Sequence, residues 1–590
     1  MLVTILKQSR QMSFLTAMGL AATAAPAALQ SSVLPVGMKR GVNGTPVYTA
    51  DGVGDPRVAL YTSIVRGVTS KQLGELVDKV YSVENIKHIE KILDFWAIAF
   101  QTRDVRGGKG ERTAFVELFK LYAKWFGRTH VNYMLPLVPE YGCWRDLFEL
   151  MKEPTLKKAC LRLIVKQFRE DRAVLKEGRR FSLLAKWLPR ARSATFTGQA
   201  TTIATALYPN LTCKQVRQRL YRKQLAEMNV ALKTVEVPMC GGRWQTIEPG
   251  KVPGKALKLY RKAFLNRTLE TNTQRSGQAD RVICAEHFKD HLERVMSGKA
   301  TVNGANTVFP HEIVRAMERI YAEAGGEEEK LLDAQWSAIR ADVVGAGKMG
   351  SCVPMADFSG SMSGVPMEVS LALGILLSEV NHPAFRGGLM TFDARPRWLQ
   401  FEEGASLRAK IRKAHDQPFG LNTNFEAALN MVLERLVRHR VPCGEEPENI
   451  VVFTDMGFDD AAKVDGAGAW ETLVESFQRR FAAAGGWKMP RIVIWNLRAA
   501  YQDYHAKVDR AGVLMLSGWS PSAMKILTEG FTMQTPYEGM RAVLDDARYN
   551  AVRDALAPVV EEWRKNEEEN AKWEAAYRAR VAAAAQTATT

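Results

Sequence analysis

Near Gly345 the spacing of apolar residues changes, and that change restricts the possible folds more than any other feature. Beyond it, short apolar runs alternate with helical stretches. The runs are "SCVPMADFS", "FRGGLMTFD", "ENIVVFTDM", "PRIVIWNLR" and "GVLMLSG"; "VPMEVSLALGILLSEV" and "WETLVESFQRRFAAAG" read as helices, and "SAMKILTEG" opens another. Strands covered on both faces are apolar at every position rather than at alternate ones. Alternating such strands with helices predicts a doubly wound, mainly parallel sheet. Ligands on such sheets sit beyond the C-terminal strand ends.

Before Gly345 the pattern is helical. "NIKHIEKILDFWAIAFQTRD" places Ile86, Ile89, Leu93, Trp96, Ala97 and Phe100 on one helix face. "VRGGKGER" breaks that helix and "TAFVELFKLYAKWF" starts the next. Short helices joined by tight turns suggest an α-solenoid or ring of divergent, HEAT-like repeats. A chain of 590 residues exceeds a single core. The expected division is a loosely ordered tail at 1–45, a helical repeat domain at 46–345, an α/β domain at 346–535 and a helical extension at 536–590.

The composition, 46% hydrophobic and 25% charged, is that of an ordinary globular protein. No apolar run approaches the ~18 residues of a membrane span. "MSFLTAMGLAATAAPAALQ" resembles a secretion signal, but Thr and Gly interrupt it; it reads as a tail, or as sequence around a true start at Met12. Seven widely spaced cysteines without a CxxC pair imply reduced thiols and a cytoplasmic setting. Cys284, His287 and His291 share a helix face without a fourth ligand, which suits a structural face better than a zinc site. Charge is uneven. Residues 155–224 hold 17 lysines and arginines against three acids, a net +14 out of +17 for the whole chain. That concentration marks a polyanion partner, usually nucleic acid; the plainer reading is a set of solvated helix faces.

The stretch "VPMADFSGSMSG" carries the candidate chemistry. Asp357 lies just past the first strand, and Ser359 and Ser361 follow at alternate positions, able to face one ion. Asp455 lies just past "NIVVFTD", and Thr423 sits in "FGLNTNFEAALN" before a helix, so both are expected at the same sheet edge. These hard oxygen donors suit Mg²⁺ or Mn²⁺. A helix N-cap would need only one of them. A hydrolase elbow is excluded because Met362 is central in "GSMSG".

This set resembles the metal-ion-dependent adhesion site (MIDAS) of von Willebrand factor A domains. The resemblance gives Asp357, Ser359 and Ser361 the roles of the D-x-S-x-S ligands. Thr423 takes that of the loop threonine, and Asp455 that of the later aspartate acting through water. The front half, with "LPLVPEYGCWRDL", "SLLAKWLPR", "YRKQLAEMNVALKTVE" and "VPGKALKLYRKAFLNR", extends the likeness to a family of unknown function found in phages, bacteria and plants. Its architecture is similar to that of the Ro ribonucleoprotein, in which TROVE-type helical repeats are followed by an A domain. That resemblance implies binding of small structured RNA or single-stranded RNA ends.

Two basic stretches are the candidate RNA contacts. In "TRDVRGGKGER", Arg103, Arg106, Lys109 and Arg112 surround glycine amides that could cradle phosphate; an inter-helix turn in which Asp104 and Glu111 pair some of the cations fits equally. It is not a P-loop. In "SLLAKWLPRARS" and "VRQRLYRKQ", Lys186, Arg190, Arg192, Arg217, Arg219, Arg222 and Lys223 lie beside Trp187 and Tyr221, a mixture suited to single strands. Those aromatics are more often core. The resulting expectation is a non-enzymatic RNA-binding scaffold without a membrane partner, whose metal site takes an acidic group. A metal-dependent protein adaptor is the alternative. A nuclease is the weakest reading, because no second acidic site or base accompanies Asp357 and Asp455.

Overall fold

The computed structural model describes residues 34–41, 46–80, 89–268, 271, 273–304, 308–320, 326–393, 395–417, 424–457 and 469–565. Most of the expected N-terminal tail, the end of the C-terminal extension and Thr423 lie outside these residues.

The protein is a mixed α and α/β chain. Strands β1 (Met38–Arg40) and β2 (Pro46–Tyr48) form an antiparallel ribbon, so regular structure starts ahead of the boundary expected at residue 46. The other strands are β3 (Cys352–Asp357), β4 (Gly388–Phe392), β5 (Trp398–Gln400), β6 (Asn449–Thr454), β7 (Arg491–Asn496) and β8 (Val513–Ser517). They form one six-stranded sheet in the order β5-β4-β3-β6-β7-β8. All neighbours are parallel except β4 and β5. Every residue of β3, β4, β6, β7 and β8 is buried, as their unbroken apolar runs require.

The strand order reverses at β3. The chain steps from β3 outward to β4 and β5, then returns to β6 on the other side of β3. The C-terminal ends of β3 and β6 therefore flank the switch point, the place where doubly wound sheets hold ligands. "SAMKILTEG" differs from expectation. It forms only a 3-10 turn, Pro521–Leu527, with the Ser520 hydroxyl accepting from the Ser522 amide. β5 has only three residues and lies at the sheet edge, too short to stand out as an apolar run.

The region before β3 is helical, from Pro56–Ser63 to Glu327–Gly345. It does not stand apart from the sheet. Helix Pro310–Glu318 packs on helix Val365–Val380, which covers β3, and helix Pro56–Ser63 packs on β8. The end of the chain returns to the front half as well. Arg541 pairs with Asp94 at 2.7 Å, and Arg548 pairs with the fully buried Asp104, to which Tyr549 also donates. Residues 536–555 are thus docked on the helical domain rather than forming a peripheral tail. One continuous apolar core runs through both parts.

Candidate metal centre and basic surface

Asp357 and Asn496 close β3 and β7, Asp393 and Asp455 directly follow β4 and β6, and each turns the chain in the same way. Asp357 Oδ1 accepts from the Ser359 amide at 2.8 Å, Asp393 Oδ1 from Arg395 at 2.8 Å, Asp455 Oδ1 from Gly457 at 3.1 Å and Asn496 Oδ1 from Arg498 at 3.0 Å. These local turns are sufficient reason for such residues at strand ends. Asp393 was not singled out from the sequence; its signal is the aspartate closing "LMTFD", the same position that Asp357 holds.

What separates the β3–β6 crevice from the others is the second carboxylate oxygen. Asp357 Oδ2 accepts from the Thr454 hydroxyl at 2.8 Å, while Asp455 Oδ2 is buried and has no partner among the described residues. Both carboxylates are fully buried. Burial first, and the neighbouring Asp455 charge second, push the Asp357 carboxyl up to about 7. The Ser359 and Ser361 hydroxyls are 3.0 Å apart beside them. His505 is buried, its Nε2 lies 3.0 Å from the Met456 carbonyl, and burial lowers its pKa to about 4.

The set fits a hard divalent cation. Two adjacent buried carboxylates need positive charge between them, one oxygen is unused, and two hydroxyls supply neutral donors. Asp357, Ser359, Ser361 and Asp455 are the residues that would hold it. Among the described residues no group of three or more His, Cys, Asp or Glu is placed to share an ion. Cys284 is buried in helix Ala279–Met296, its thiol pushed up to about 11 chiefly by burial, and all seven cysteines are free.

The glycine turn departs from the phosphate-cradle reading. Four of its amides are already used. Arg106 donates to the Asp104 side chain, Lys109 to the Gln101 carbonyl, Gly110 to the Asp104 carbonyl and Glu111 to the Thr102 carbonyl. Two of its cations are internal: Arg103 is 2% exposed and pairs with Asp146 at 2.6 Å, and Lys109 is 3% exposed. Neither reaches a phosphate on the surface. Arg112 shares Asp146 at 2.6 Å but stays partly open, and Arg106 is exposed. Gly108 is required by close approach, since a Cβ there would lie 2.0 Å from the Gln101 carbonyl oxygen.

The second basic stretch keeps its surface. Arg190, Arg192, Arg219, Arg222 and Lys223 are exposed and have no carboxylate partner among the described residues. Lys186 and Arg217 are half-buried, and Arg217 donates to the Thr212 carbonyl at 3.1 Å. Tyr221 is fully buried, and its hydroxyl donates to the Pro189 carbonyl at 3.0 Å. It is a structural pin, not a stacking platform: it holds the turn carrying Arg190 and Arg192 against the helix carrying Arg219, Arg222 and Lys223. The preceding helix, Pro154–Lys176, adds exposed Lys157, Lys158, Arg162 and Arg169.

Comparison with known proteins divides the chain where its structure does. Residues 152–349 match a family model described as domain of unknown function DUF2828, and residues 351–573 match domain of unknown function DUF7788. The junction falls between helix Glu327–Gly345 and β3. The uncharacterized protein L728 of Acanthamoeba polyphaga mimivirus is 28% identical over 451 residues, covering 73% of this chain and 75% of that relative. No helix among the described residues is long and apolar enough to cross a membrane.

Proposed function

We propose that the protein is a non-enzymatic RNA-binding scaffold of Ro-like architecture, with HEAT-like or TROVE-like helical repeats leading into a von Willebrand factor A-type domain. The observation that carries this reading is the unneutralised basic surface of residues 154–223, where exposed cations from two helices and the intervening turn meet almost no acid. Such a surface attracts phosphates and releases their counterions.

The A-type domain is proposed from the strand order and from the carboxylate pair at its reversal. Its site would use Asp357, Ser359, Ser361 and Asp455, with Thr423 from the loop outside the described residues. When bound, Mg²⁺ or Mn²⁺ would offer an electrophilic position for a carboxylate or phosphate of a partner.

Purification without nuclease, followed by washes at low and high salt, tests the RNA reading through the 260/280 ratio and the RNA released. A defined population lost at high salt is expected. Replacing Arg219, Arg222 and Lys223 together with Ala should lower affinity for single-stranded RNA about ten-fold. It should also flatten the slope of log K against log salt by about two, at ~0.7 per phosphate contact. Protein that is free of nucleic acid and fails to bind RNA at low salt would overturn the reading. The metal-dependent adaptor, favoured by the Asp357–Asp455 pair, would then replace it.

A further inference from the structure

A separate cavity of about 490 Å³ lies where the helical domain meets the loop after β8. Its walls come from Arg66, Glu111, Arg112, Lys255, Phe309 and Ser520. None of these belongs to the carboxylate crevice or to the basic surface described above.

Its charges do not balance. Glu111 takes Arg66 at 3.0 Å, and Glu312 takes Lys258 at 2.7 Å. Asp146 alone serves both Arg103 and Arg112, at 2.6 Å each. Lys255 has no carboxylate at ion-pair distance among the described residues; its ammonium is 5.9 Å from the Phe309 ring centre. Burial lowers the Lys255 pKa first, and Arg103, Arg112 and Arg66 lower it further against the pull of Glu312. One shared guanidinium and one ammonium are therefore left for an anion of one or two negative charges.

The cavity also holds an unused acceptor. Glu111 is 4% exposed; its Oε2 is taken by Arg66, and its Oε1 is buried without a partner. A ligand that fits must offer both an anionic group and a hydrogen-bond donor. An aromatic wall completes the set. Phe309 lines the cavity, and the Arg66 guanidinium lies 5.1 Å from its ring centre and 4.3 Å from that of Trp519. Gly110, at φ 71°, gives this wall its room, because a Cβ there would lie 2.9 Å from Phe309.

We propose that this cavity binds a nucleoside monophosphate, with its phosphate between Arg112 and Lys255, its base along Phe309 and a base N–H donated to Glu111 Oε1. The volume suits a ligand of that size. The inference does not depend on RNA binding by residues 154–223. A free nucleotide and the 5′-terminal nucleotide of a strand offer the same chemistry.

Calorimetry on the full chain with AMP, GMP, CMP, UMP and inorganic phosphate is the test. At least one nucleotide is expected to bind about ten-fold or more tightly than phosphate. Lys255→Ala, which breaks no ion pair among the described residues, should leave the melting temperature close to wild type and weaken that nucleotide about ten-fold. Phe309→Leu should weaken the nucleotide and leave phosphate unaffected. No binding, equal binding of phosphate and every nucleotide, or indifference to Lys255→Ala would each overturn the proposal. Oligonucleotides with a 5′-phosphate or a 5′-hydroxyl identify the source. A gain from the phosphate that free nucleotide competes away assigns the site to strand ends; no such gain assigns it to free nucleotides. Loss of RNA binding in the Arg219/Arg222/Lys223 variant with nucleotide binding intact would separate the two sites.

Discussion

Lys109→Ala should destabilise the protein by about 3–5 kcal/mol and loosen the helical domain from the sheet, although the residue lies in a glycine-rich turn. The Lys109 ammonium donates to the Tyr61 carbonyl, to the Ile64 carbonyl at 3.0 Å and to the Ser517 hydroxyl at 2.7 Å. It also lies 4.4 Å from the Tyr61 ring centre. Ser517 ends β8, and Tyr61 belongs to the helix packed on that strand. One side chain therefore joins three segments at the seam. Without it, the single Ser517 hydroxyl hydrogen must serve two carbonyls, and a buried carbonyl left without a donor is costly. Denaturant unfolding should show an earlier first transition, and limited proteolysis should open the seam between the two halves.

The same residue gives a pH signature. Burial lowers the Lys109 pKa to about 7, from 10.5 for a free lysine, with Glu111 opposing. Between these values the unfolded chain holds a proton that the folded chain has released. Folded stability therefore rises with pH across this window, by up to ~1.4 kcal/mol per unit. Below pH 7 the folded amine is charged and the burial cost is paid in full. Lys109→Ala removes this contribution, so the stability gap between wild type and variant should widen from pH 7 to pH 9. A constant gap would mean that the three acceptors keep the proton on the amine throughout.

Lys109 also illustrates how far the sequence could be read. The apolar runs that became β3, β4, β6, β7 and β8 were legible because full burial demands apolar residues at every position. Asp357 and Asp455 were legible because strand ends in such a sheet are where polar side chains gather. The turn at "RGGKGER" was misleading. Cations beside glycines look the same whether they meet phosphate or a carbonyl, and the partner that decides, Ser517, is 408 residues away. Arg103 was misleading for the same reason, since Asp146, on helix Trp144–Leu150, neutralises it. The docking of residues 536–555 rests on Arg541, Arg548 and Tyr549 meeting Asp94 and Asp104, and no local periodicity announces such pairs. β5 needs only three residues because β4 supplies its register.

Asp455→Asn should stabilise the metal-free protein and abolish any stabilisation by Mg²⁺. In the metal-free chain the two buried carboxyl groups interact, and Asp455 is one reason, after burial, that the Asp357 carboxyl resists ionisation. An amide removes that repulsion while its own oxygen still accepts from the Gly457 amide, as Asp455 Oδ1 does at 3.1 Å. A gain of about 1–2 kcal/mol near neutral pH is the expected size for relief of one like-charge contact. Wild type should behave in the opposite way when Mg²⁺ is added. At about 100 times the dissociation constant, a ligand that binds only the folded state adds ~2.7 kcal/mol. Thermal melts with EDTA and with millimolar Mg²⁺ therefore predict a crossing: the variant melts above wild type in EDTA and below it in Mg²⁺. Ser359→Ala separates this from a purely electrostatic account. It removes a donor without changing charge, so it should weaken the Mg²⁺ response while leaving the EDTA melt close to wild type. If wild type and Asp455→Asn respond alike to Mg²⁺, the crevice does not hold the ion, and the unpaired Asp455 oxygen must be satisfied by water.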